Sequence, residues 1–137
     1  MSCAGAVAVQ KVIADENLLE NGRQTGEYLE QLLRDRLLSP NSVARPFTFD
    51  IRGGGSFWAV EFDFAGSESR KDFAMLVQAR CLENGLIVIG MPGMDGGHII
   101  FAPAYNITHS EVERVVNLFV VSVEEVDRGV RHERSGD

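Results

Sequence analysis

Residues 50–62 read DIRGGGSFWAVEF. Three consecutive glycines, Gly53, Gly54 and Gly55, separate Asp50-Ile51-Arg52 from the run Phe57-Trp58-Ala59-Val60-Glu61-Phe62. A phosphate cradle places its glycines after a strand and at the start of a helix, where free backbone N–H groups converge on an anion. Here the segment after the glycines is aromatic and β-branched, so it reads as a strand. No Gly-Lys-Ser/Thr follows, and the P-loop pattern is absent. The glycines therefore read as a turn or bulge that needs positive φ. On the other side of them Phe47, Phe49 and Ile51 alternate with Thr48 and Asp50, the period of a second strand. The stretch predicts a β-hairpin, and the rest of the chain arranges itself around it.

Upstream, residues 4–15 are small and apolar almost all round: Ala4, Gly5, Ala6, Val7, Ala8, Val9, Val12 and Ile13. Such a helix is usually buried, and at this end of the chain it reads as one that expects a partner. It lacks a basic leader region, and Gln10 and Lys11 interrupt it, so it is not read as a signal peptide. Residues 16–38 form a second helix, with Leu18, Gly22, Thr25, Gly26, Leu29, Leu32 and Leu33 on one face. Two glycines on that face cost about 1 kcal/mol each against alanine, and predict a closely packed neighbour. Ser39-Pro40-Asn41-Ser42 ends the helix.

Downstream, residues 70–84 predict a third helix, with Phe73, Ala74, Val77 and Cys81 inward and Gly85 just past its end. Leu86–Gly90 reads as a short strand, residues 91–97 as a loop, and His98–Tyr105 as a strand stopped by Pro103. Thr108 and Glu111 form a capping box. It opens a helix striped with Val112, Val115, Val116, Phe119, Val123 and Val126. The tail, 128–137, is charged and is expected to be disordered. The fold class is α+β, with a small, mainly antiparallel sheet and helices packed on one face.

Composition bounds the function. The chain has 137 residues, 45% hydrophobic and 24% charged, and a net charge of −7. That is globular composition, and its acidity excludes a nucleic-acid surface built from clustered Lys and Arg. No apolar run approaches the ~20 residues of a membrane span. Two cysteines, Cys3 and Cys81, make no disulfide framework and read as small buried apolar residues. A reducing, cytoplasmic setting is expected.

Residues that carry chemistry are sparse. His98, His109 and His132 have no metal-ligand spacing. Cys3 has no base beside it to activate a thiol. Asp50, Glu61 and Asp63 read as solvated strand carboxylates rather than an acid–base pair. Arg52 reads as one half of a structural salt bridge. The loop Gly90–His98 is open to two readings, a plain strand connection or a place where a substrate approaches the backbone.

Four pieces in one order carry a resemblance: SCAGAVAVQKVIADENLLENGRQTGEYLEQLL, DIRGGGSFWAVEF, CLENGLIVI and HIIFAPAYNITHSEVERVV. Together they resemble the C-terminal part of class III pyridoxal-phosphate-dependent aminotransferases, over residues 2–126. The resemblance implies a small C-terminal domain over 1–127, as in fold-type I enzymes, with 1–15 as an interdomain helix. It places Arg52-Gly53-Gly54-Gly55 in the family's Arg-Gly-x-Gly turn, a structural element. It borders the active-site mouth with the 90–97 loop, making Gly90, Met91 and Ile100 substrate-mouth candidates. Members that act on α-carboxylates often carry Arg before Phe-Ala-Pro. This chain has Ile100 there, which puts a carboxylate clamp in doubt.

The family's Schiff-base lysine, the acidic partner of the pyridine nitrogen and the phosphate-binding segment all lie upstream of the matching part. The only lysines here, Lys11 and Lys71, match no lysine motif of the family. Pyridoxal phosphate is thus expected in the full-length family, held covalently by no residue of this chain, and the chain alone is expected to be inactive. A truncated reading, a split gene or a paralogue that lost its catalytic part would each produce such a sequence. The implied partners are a second copy or an aminotransferase large domain. The alternative function is a non-catalytic binding or dimerisation module.

Overall fold

The computed structural model describes residues 2–64, 70–93 and 95–135. Helix α1 (Ser2–Asp15) is followed by α2 (Leu18–Leu37), a short 3-10 turn at Arg45–Phe47, β1 (Thr48–Gly54), β2 (Phe57–Asp63), α3 (Phe73–Glu83), β3 (Ile89–Met91), β4 (Gly96–Phe101) and α4 (His109–Ser135). The strands make one sheet in the order β1-β2-β4-β3. Every pairing in it is antiparallel. Helices α2 and α3 pack on the strands, and α4 packs on both helices and reaches the sheet through Phe119, which is the expected α+β layer.

The hairpin is where the sequence placed it. Gly54 pairs with Phe57, leaving Gly55 and Ser56 as a two-residue loop. Gly55 takes φ of 54°, a conformation open to glycine at little steric cost. Its carbonyl accepts a hydrogen bond from Trp58 Nε1 at 2.9 Å. The same carbonyl lies against Gly26 of α2, where an added Cβ would sit 1.7 Å from it. The glycine face of α2 therefore packs on the hairpin turn.

The core lies between the sheet and helices α2, α3 and α4. Phe47, Phe62, Phe64 and Phe73 form an aromatic cluster, with Phe47 stacked on Phe64 at 4.8 Å and Phe73 edge-on to Phe62 at 5.0 Å. Phe119 of α4 meets Phe101 of β4 edge-on at 4.9 Å. Each such ring, fully buried, contributes roughly 2–3 kcal/mol through removal of apolar surface from water. The capping box forms: Glu111 Oε2 accepts from the Thr108 N–H at 2.8 Å, and the Glu111 N–H donates to Thr108 Oγ1 at 3.3 Å.

Three expectations are corrected. The tail is helical, not disordered, as far as Ser135. Val130 still packs on the core, and Arg131 pairs with buried Asp127 at 2.7 Å, so the stripe of α4 runs past residue 127. Residues 136–137 lie outside the described residues. Strand β3 is Ile89–Met91 rather than 86–90, because Leu86 and Val88 turn into the core before the chain meets β4. The third helix begins at Phe73, not 70.

Candidate functional site

Side chains alternate between the faces of a sheet, and here the two faces differ sharply. Ile51, Val60, Ile99 and Gly90 form a register row against the helices, and all four are buried. The neighbouring rows point the other way, where no helix is packed among the described residues. One holds Arg52, Ala59, Ile100 and Ile89; the other holds Asp50, Glu61, His98 and Met91. This open face is polar at β1 and apolar at β3. Ile89 is 52% exposed and Met91 43%, while Ile100, Ala59 and His98 are half-buried.

At the polar end Arg52 is hydrogen-bonded to Glu61 and lies 3.3 Å from Asp50. The Glu61 carboxylate, and after it Asp50, raise the guanidinium pKa above its ordinary value. The cluster is about half exposed, so it fixes the Arg52 side chain across two strands and adds little stability. This is the structural salt bridge the sequence pointed to.

The three substrate-mouth candidates do not share a face. Met91 and Ile100 stand on the open one. Gly90 faces α3, where an added Cβ would lie 2.8 Å from the Ala74 carbonyl. Its N–H donates to Gln78 Oε1 at 2.5 Å. Gly90 thus sets how closely β3 approaches α3, while its neighbour Met91 faces out. Gln78 was not legible as a contributor, since one glutamine on a helix carries no pattern of its own.

Helix α1 forms a second unpartnered surface. Val7 is 70% exposed, Val9 57% and Val12 46%. Val9, Val12 and Ile13, with Leu18 and Tyr105, line an apolar groove of about 530 Å³. Another groove of about 400 Å³ opens beside the start of α4, between Leu86, Ile87, Phe101, Pro103, Ile107 and Leu118. Tyr105 anchors this corner: its carbonyl accepts from Asn21 Nδ2 at 2.6 Å.

The remaining groups are scattered. Lys11, on α1, and Lys71, before α3, are both exposed. Cys81 is buried, and burial pushes its thiol pKa up, which leaves it a poor nucleophile. Cys3 is exposed, against the expectation of two buried cysteines. Among the described residues no three His, Cys, Asp or Glu side chains gather to hold a metal, and no helix is long and apolar enough to cross a membrane.

The model of the family Aminotransferase class-III matches residues 1–123. The chain belongs to the class III aminotransferases. An aminotransferase of Gibberella zeae is 36% identical over 129 residues, which are 85% of this chain and 24% of that protein. The 5-aminovalerate aminotransferase of Pseudomonas aeruginosa is 37% identical over 92 residues, 65% of this chain and 20% of the relative. Among solved structures, a transaminase from directed evolution by ancestral reconstruction superposes with a TM-score of 0.80 at 29% identity, covering 93% of this chain and 27% of that one. A Bacillus anthracis aminotransferase gives 0.77 at 25% identity, covering 90% and 28%. The chain thus spans about a quarter of the length of these relatives, and its fold is found within fold-type I transaminases.

Proposed function

We propose that this chain is the small C-terminal domain of a class III aminotransferase, over residues 1–127 and on along α4 to Ser135, with 1–15 as the helix that joins it to a catalytic large domain. The activity it serves is transfer of an amino group between an amine or amino acid and a keto acid. The observation that carries this reading is the family match over residues 1–123 by a chain about a quarter as long as its relatives. In this reading the open face of the sheet and α1 are covered by the large domain. Met91 and Ile100 contribute the wall of the substrate mouth, and Gly90 sets the height of Met91 above α3.

Pyridoxal phosphate supplies the electron sink in this family, but the residues here do not fit its covalent site. A Schiff-base lysine is activated by a desolvated pocket or a neighbouring cation. Lys11 and Lys71 match no lysine motif of the family, and neither lies in such a pocket within this chain. We therefore place the cofactor on a large domain and assign no chemical step to this chain. The alternative, a non-catalytic module pairing with a full-length paralogue or a second copy, draws on the same exposed α1.

The test is direct. The purified 137-residue chain, given pyridoxal phosphate, an amino donor and a keto acid, should show no turnover above the free cofactor's own rate. Turnover above that rate would overturn the assignment. Activity that appears only when a class III large domain is added supports the small-domain reading over the non-catalytic one.

A further inference from the structure

Asn84 ends α3, and Gly85 follows it. An asparagine before glycine is chemically vulnerable, because no side chain shields the next backbone nitrogen. That nitrogen attacks the Asn Cγ, the side-chain amide leaves as ammonia, and a cyclic imide forms. Water then adds to either imide carbonyl, giving Asp or isoaspartate. The sequence needs only water, and no oxidation state changes.

The fold commits both reacting groups elsewhere. The Asn84 Nδ2, which would leave, donates to Ser122 Oγ at 3.0 Å and to Glu125 Oε2 at 3.1 Å, both on α4. Ser122 is fully buried, and it spends its own proton on the Leu118 carbonyl at 2.7 Å. It therefore meets Asn84 as an acceptor. Glu125 is tied in turn to Arg80 of α3 at 3.4 Å. The attacking group, the Gly85 N–H, donates to the Leu82 carbonyl at 3.0 Å. The carboxamide thus reaches across to α4 instead of folding back over its own peptide.

We propose that Asn84 is a one-way modification site gated by the contact between α3 and α4. While the helices are docked the amide is held intact. Each local opening frees it to cyclise. The product cannot restore the contact, because a carboxylate offers no donor to Ser122 and faces Glu125 as a like charge. The site records opening of this helix pair and makes it permanent. A second Asn-Gly pair serves as an internal control: Asn21, inside α2, donates to the Tyr105 and Ile107 carbonyls and touches neither Ser122 nor Glu125.

The experiment incubates the full chain at mildly alkaline pH and follows conversion at Asn84 and Asn21 by peptide mass mapping, with enzymatic methylation to count isoaspartate. Folding is monitored in parallel by circular dichroism. In the native protein Asn84 should convert at least about tenfold more slowly than in the urea-denatured chain. The double variant S122A/E125A, still folded, should convert at Asn84 about tenfold faster than the parent, with Asn21 unchanged. An unchanged Asn84 rate in that folded variant overturns the proposal. If the variant unfolds, both asparagines accelerate together. The native and denatured wild-type rates then decide, and equal rates at Asn84 overturn it.

Discussion

Helices α1 and α4 are both rich in valine, yet they meet opposite fates. In α4 the apolar residues fall on one stripe, and Val112, Val116, Phe119 and Val123 are buried against the sheet and its neighbours. In α1 they fall all round, and Val7, Val9 and Val12 stay exposed. Apolar composition sets how much surface a helix has to hide. The pattern decides whether one neighbour is enough to hide it. A striped helix is satisfied by one sheet face; a helix apolar on every side needs neighbours on several sides. Among the described residues α1 packs on α2 and borders the Tyr105 corner. The two faces of the sheet repeat the lesson, one filled by three helices and the other left with Ile89 and Met91 in the open.

The contrast between α4 and α1 should be plainest in stability. Phe119→Ala removes a fully buried ring from beneath Phe101 and should cost about 3–5 kcal/mol in urea unfolding. Val9→Ala on α1 should stay within about 0.5 kcal/mol. Similar losses at both positions would mean that α1 belongs to the same cooperative core.

A glycine pair sharpens the contrast at smaller magnitude. Gly26→Ala pushes a methyl into the Gly55 carbonyl and should cost about 1–3 kcal/mol or more. Gly5→Ala meets nothing within 4 Å and should leave stability unchanged or raise it by up to about 1 kcal/mol through helix propensity. The Gly26→Ala melt should therefore fall while the Gly5→Ala melt stays in place or rises.

The start of α4 gives a pH-dependent prediction. Thr108→Ala should cost about 1 kcal/mol through loss of the cap. The hydrogen bonds from Thr108 hold the Glu111 carboxyl below its usual pKa. A depressed folded-state pKa means stability that is present above the unfolded value of about 4.3. It is lost as pH falls through the lower folded value. Acid unfolding curves of wild type and Glu111→Gln should therefore converge at low pH and separate above it. Parallel curves would remove Glu111 from the cap.

The smallest effect on stability carries a second readout. Val7→Ser with Val9→Ser should leave the unfolding midpoint almost in place while reducing self-association and binding of a hydrophobic dye. Unchanged association would show that α1 is not the sticky surface.

Much of this contrast was legible in the sequence, because local patterns specify local structure. The hairpin followed from glycines between two period-2 runs, the α4 start from Thr108 and Glu111, and the tight α2 face from Gly22 and Gly26. What escaped depends on contacts far apart in the chain. Leu86-Ile87-Val88-Ile89 is apolar throughout, so no alternation marks where pairing with β4 begins; the register with Ile99 and Ile100 decides it. The charged tail hides a helix because Val130 and the Asp127–Arg131 pair extend α4 only once its stripe is docked. That Gly90 faces α3 and Met91 the open side follows from the same register. Without it, the three mouth candidates read as one cluster.

The central claim is that this chain folds on its own around α4 while α1 waits for a partner. Amide hydrogen exchange on the isolated chain, at a concentration where it sediments as a monomer, tests it most directly. Exchange should be slow along residues 112–126 and through β2 and β4, and fast along residues 4–13. Protection of α1 equal to that of α4 in the monomer would contradict it, and with it the proposed reading of α1 as the joint to a large domain.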